Sequence, residues 1–135
     1  MIGHGDAAWR RAAVDVLRWR VKTRSGFAVS DDAPVAAGAR VIVTVRVLGA
    51  TIREPIKVVD VVETDERVGF SYRTLPGHPV SGEEAFVVSR DGDAVVLAVR
   101  SLTNPAPQQP WRALHPLLRV VQRIVRRRYL RALRS

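Results

Sequence analysis

The chain has 135 residues, 47% of them apolar, a formal net charge of +9 and no cysteine. That length suits a single domain with an ordinary core, and the missing thiols exclude disulfides, thiolate metal sites and cysteine nucleophiles. No run of ~18 consecutive apolar residues occurs and no signal-like apolar run follows Met1, so the expected setting is cytoplasmic, with no helical membrane span.

The charge is segregated along the chain. Residues 1–93 carry 13 Lys and Arg against 13 Asp and Glu, whereas residues 94–135 carry nine Arg and no acid. Arg outnumbers Lys twenty to two, a ratio that codon bias alone can produce, so Arg is not by itself a sign of phosphate recognition.

In chain order, residues 6–24 read as an amphipathic helix. Asp6 is placed to cap it, and Trp9, Ala12, Ala13, Val16, Leu17 and Trp19 recur at helical spacing on one face. Arg10, Arg11, Arg18 and Lys22 fall largely off that stripe, and Gly26 supplies the stop. A β-rich middle over residues 27–102 follows. Residues 27–29 form a short strand, and residues 39–48 alternate Val41, Val43, Val45 and Val47 with polar positions. Residues 56–63, 68–75, 83–90 and 94–102 complete six strands, with Asp91-Gly92 as a hairpin signal. Short connections imply an antiparallel meander. Residues 103–110 are a proline-rich connector, and residues 111–133 form a C-terminal helix with Pro116 at its first turn. Leu117, Leu118, Val121, Ile124, Val125, Tyr129, Ala132 and Leu133 make its apolar stripe.

The least generic stretch is residues 69–86, in which an aromatic strand (Phe70, Tyr72, Leu75) enters a loop with Pro76, Gly77, His78 and Pro79. Glu83 and Glu84 open the next strand, so only one of them can face the interior. His78 with either glutamate is the acid–base candidate should the protein be an enzyme, although a loop histidine more often anchors backbone. One His and one inward Glu fall short of a zinc site, so neither a metal nor any other cofactor is expected. No G-x-S-x-G elbow accompanies Ser71, Ser81 or Thr74, and the G-x-G at Gly3-His4-Gly5 lacks a preceding strand.

With these residues in view, the chain resembles the bacterial and plant domain-of-unknown-function family nineteen-ninety. The residues that carry the resemblance run from Gly3 and Gly5 through Pro34-Val35, Gly38, Gly49 and Pro55 to Gly69-Phe70 and Tyr72. They continue with Thr74-Leu75-Pro76-Gly77-His78-Pro79, Gly82-Glu83-Glu84-Ala85-Phe86, Pro116, Gln122 and residues 128–133. Arg73 stands where that family tends to have glycine. The resemblance implies a fold similar to the START and birch-pollen-allergen group, in which a curved antiparallel sheet grips a long C-terminal helix over an apolar cavity. Members of that family begin some tens of residues earlier, and an edge strand left bare by that difference would be a route to a homodimer.

The expectation is therefore one α+β domain over residues 1–135: an N-terminal helix, a curved antiparallel sheet of about six strands, and a long C-terminal helix across it. The leading functional reading is a non-enzymatic binder of a small hydrophobic or lipid-like ligand between sheet and last helix. Its lining would come from Trp19, Phe70, Tyr72, Leu75, His78, Glu83, Phe86, Val121 and Val125. The Arg-rich helix, through Arg119, Arg123, Arg126 and Arg127, is a solvated face or a contact for an anionic membrane surface. Nucleic acid ranks last, because no recognised module accompanies the charge.

Overall fold

Alternating β-branched and aromatic residues need two things: a ladder for their backbones and a cover for their apolar face. The computed structural model describes residues 1–31, 33–47, 49–76, 80–105 and 115–134 and supplies both. Within them, the side chains of residues 47, 80, 103–105, 115–119, 121 and 122 are not described. The strands are β1 (Gly3–His4), β2 (Phe27–Val29), β3 (Arg40–Val47), β4 (Ala50–Glu63), β5 (Arg67–Thr74), β6 (Val80–Asp91) and β7 (Ala94–Pro105). They form one seven-stranded antiparallel sheet in the order β1-β7-β6-β5-β4-β3-β2. The sheet curves strongly into a half-barrel, and with its helices it makes an α+β architecture consistent with a helix-grip-like fold. A register shift on β4 between Val58 and Asp60 contributes to the bend.

Three departures from the sequence reading have local causes. The seventh strand, Gly3–His4, pairs with Val95 and Ala94, and two residues are too few to show a period. β4 begins at Ala50 rather than after Pro55, because Pro55 sits opposite Ile42 inside the ladder. There the Ile42 N–H donates to Ser30 Oγ and its carbonyl accepts from Ser30 N, so both point away from Pro55. The missing proline N–H thus costs the β3–β4 pairing nothing. β6 and β7 also run longer than expected, since Val80 to Gly82 pair with Thr103 to Pro105, the first residues assigned to the connector.

The inner face is built in rows. Val68, Val88 and Leu97 lie side by side across β5, β6 and β7, and so do Phe70, Phe86 and Val99. All six are buried. Gly69, between two of these residues, is the close approach. A Cβ there would run into the Phe86 carbonyl oxygen and come within 2.7 Å of Val87 Cα, both main-chain atoms with no freedom to yield. Gly69→Ala is expected to destabilise the protein by about 1–3 kcal/mol through forced separation of β5 and β6. Urea denaturation reads this directly, and an unchanged midpoint would remove the steric account.

The expected N-terminal helix is two helices, α1 (Gly5–Leu17) and α2 (Arg20–Thr23). His4 stands at the N-cap without a side-chain bond, and Asp6 instead pairs with Arg90 at 3.1 Å. Ala8, Trp9, Ala12 and Val16 bury the inner face of α1. The break falls at Trp19, whose φ of 63° puts a bulky residue in the left-handed region. That conformation costs about 1–2 kcal/mol. Burying the indole returns about 1.5–3 kcal/mol, and its edge-to-face contact with Phe70, 4.7 Å between centroids, adds to this. Burial wins. The kink re-aims everything after it.

The last helix, α3 (His115–Arg131), lies against β7 and α2. Tyr129 and Leu133 enter the core, with Val125 and Ala132 packed beside them. Ile124, placed on the apolar stripe by its spacing, is instead 51% exposed, because the helix presents a narrower inner face than the stripe implied. No helix among the described residues is long and apolar enough to cross a membrane.

Candidate functional site

A lysine fully inside an apolar core is costly, because each ion removed from water loses several kcal/mol of hydration unless partners replace it. Lys22 is such a residue. The break at Trp19 turns α2 so that the side chain points inward, and it is 4% exposed. Its ammonium donates to the Tyr129 hydroxyl at 2.6 Å and lies 3.6 Å from Glu84 Oε1. Three aromatic faces surround it: Phe27 at 4.4 Å, Tyr129 at 5.0 Å and Tyr72 at 5.4 Å from the ring centroids. Each face is electron-rich and favours a cation.

The sheet supplies the acid side. Glu84 on β6 lies opposite Tyr72 on β5 and Ser101 on β7, a third row of the inner face. The Tyr72 hydroxyl donates to Glu84 Oε1, and Ser101 Oγ donates to Glu84 Oε2 at 2.6 Å. Both carboxylate oxygens are therefore engaged, and one of them also faces the ammonium. Glu54, on β4 opposite Val43, belongs to the same electrostatic neighbourhood. Six elements, α2, β2, β4, β5, β6 and α3, thus converge on one buried cluster, with β7 closing its side.

Burial and mutual charge set the protonation states. Loss of water pulls the Lys22 ammonium down, but Tyr129, Tyr72 and Glu84 together hold it well above the usual lysine value. Burial pushes the Tyr72 phenol well up, and the Glu84 charge adds to this while Lys22 opposes it. Tyr129 is raised for the same first reason, with Lys22 opposing and Glu84 adding. Burial also lifts Glu54 above its ordinary range against the pull of Lys22. Near neutral pH the centre is a lysinium beside two protonated phenols, with proton donors and an acceptor fixed in a low-dielectric interior.

The candidates from the sequence are distributed unevenly around this centre. Trp19, Phe70, Tyr72 and Phe86 meet in one aromatic cluster, with Phe86 and Tyr129 centroids 5.2 Å apart. Glu84 faces the interior and Glu83 is exposed, as strand alternation requires. Leu75 is half-buried, and its N–H donates to the Pro55 carbonyl at 3.0 Å, while Thr74 Oγ1 accepts from Gly82 N at 3.0 Å. Val125 packs against the core. His78 and the side chains of Val121 and Arg119 lie outside the described residues. Arg123 and Arg127 are exposed, whereas Arg126 turns back to donate to the Val99 carbonyl at 3.0 Å. No group of three or more His, Asp or Glu that could hold a metal occurs among the described residues.

Lys22, Glu54, Ser101 and Tyr129 are not among the site candidates that the sequence offers. A helix continuous through Trp19 puts Lys22 largely off the apolar stripe, so its spacing gives no sign of burial. Ser101 was legible: counting seven pairs back from Asp91 opposite Ala94 places it across from Glu84.

Comparison with known proteins agrees over nearly the whole chain. The family described as "Domain of unknown function (DUF1990)" matches residues 1–132. A UPF0548 protein of Deinococcus radiodurans is 31% identical over 150 aligned residues, covering 98% of this chain and 72% of that relative. No solved structure matches.

Proposed function

The chain belongs to the DUF1990 family, and from that membership and the geometry above we propose that it is a non-enzymatic binder of a small hydrophobic or lipid-like molecule. The ligand lies between the curved sheet and α3, and the cluster of Lys22, Glu84, Tyr72 and Tyr129 engages its polar end. The observation that carries this reading is a buried lysine and carboxylate placed among apolar rows that could have been filled by methylenes. A well-packed apolar substitute for such a pair is often neutral or stabilising by about 1–4 kcal/mol, so retaining the charges points to a task other than stability. Apolar walls with a few convergent polar groups are also the usual composition of small-molecule sites.

Native mass spectrometry of the purified chain and titration with the lipophilic dye anilinonaphthalene sulfonate test the proposal. We expect a co-purifying small molecule lost on denaturation, and saturable dye binding reversed by oleate. In the Tyr72→Phe/Ser101→Ala variant, oleate competition is expected to weaken by about tenfold, two hydrogen bonds to a charged group having been removed from the centre. A chain that holds no small molecule and takes up dye without saturation would dismiss the reading.

A further inference from the structure

The outward side of α3 is neither uniformly charged nor uniformly apolar. Val125, Tyr129, Ala132 and Leu133 define the inner side. Opposite them Val120, Ile124, Arg127 and Arg131 follow one another at i, i+4, i+7 and i+11, a single column along the helix. Val120 and Ile124 are each 51% exposed, and Leu130 on the adjacent column is 42% exposed. Arg123, Arg127 and Arg131 are exposed beside them. No acidic residue occurs anywhere between residues 94 and 135, so the helix carries no internal counter-charge.

We propose that this face docks the protein on an anionic lipid bilayer, with α3 lying in the plane of the surface. Guanidinium groups interleaved with half-exposed aliphatic side chains fit that boundary: Arg reaches the headgroup phosphates while Val120 and Ile124 enter the acyl margin. The charge is complementary to anionic lipid, and each Arg near such a surface contributes about fivefold in affinity. Duplex nucleic acid would satisfy the arginines but leave the aliphatic column in water, which is why a bilayer is the better fit. The docking face is opposite the residues that enclose Lys22, so this inference does not rest on ligand binding.

Cosedimentation of the full chain with phosphatidylcholine vesicles, with and without phosphatidylglycerol, provides the test. Binding is expected only to the anionic vesicles and should fall steeply as salt is raised. Arg123→Gln/Arg127→Gln should weaken it by about 25-fold, and Val120→Ser/Ile124→Ser by about tenfold. These side chains are solvent-exposed, so both variants should retain the parent circular dichroism and thermal midpoint. Equal binding to neutral vesicles, full binding by the Val120→Ser/Ile124→Ser variant, or tighter binding to duplex DNA at the same salt would each overturn the proposal.

Discussion

Replacing Lys22 by Met is expected to destabilise the protein by about 3–5 kcal/mol, the usual cost of removing one partner from a buried charge pair. For a chain of this length that corresponds to a fall in thermal midpoint on the order of 10–20 °C. The methylenes of Met replace most of the lysine stem, so the loss comes from charge rather than volume. Glu84 keeps its bonds from Tyr72 and Ser101, but the cation opposite its shared oxygen is gone. Tyr129 loses the ammonium that donates to its hydroxyl. The decisive comparison is a double-mutant cycle. Lys22→Met/Glu84→Gln should be less damaged than the sum of its parts by about 1–3 kcal/mol, because the second change removes the stranded carboxylate charge. Additive losses, or a single-variant loss below about 1 kcal/mol, would mean that the ammonium is not paired with Glu84 in solution.

Alkali should expose the same centre by a different route. Tyr72 and Tyr129 are the chain's two tyrosines, and both have phenols raised above the ordinary value by burial. A group that holds its proton longer when folded contributes stability that is present in full below the unfolded pKa. That contribution is lost as pH rises beyond it. Above about pH 10, the ordinary tyrosine value, the unfolded chain releases two protons that the folded chain retains. Stability should then fall by about 2.7 kcal/mol for each further pH unit. Tyrosinate absorbance should therefore appear in one step, together with loss of far-ultraviolet circular dichroism. A tyrosine that ionises near pH 10 while the dichroism stays native would contradict the enclosed position of its hydroxyl.

The sheet was legible because its signals are local. Val41 and Val43 alternate with polar neighbours, Asp91-Gly92 sets the β6–β7 register, and alternation alone separates Glu84 from Glu83. The centre was hard to read because it depends on tertiary events. Nothing in the periodicity of residues 6–24 announces a left-handed Trp19, since that conformation exists only where Phe70 receives the indole. Without the kink, Lys22 stays on the outer side of a continuous helix. Composition did leave a trace, since Lys22 is one of two lysines beside twenty arginines. The Glu84–Tyr72 contact depends on a β5–β6 connection longer than a two-residue turn, so its register could not be counted from sequence.

The bond from Lys22 to Tyr129 joins residues 107 apart, the first helices to the last. Until the last helix docks, the ammonium lacks its tyrosine cover, and contacts that far apart form slowly. A refolding chain can thus pair its strands and still have an open centre, so this site closes only with the long-range docking of α3.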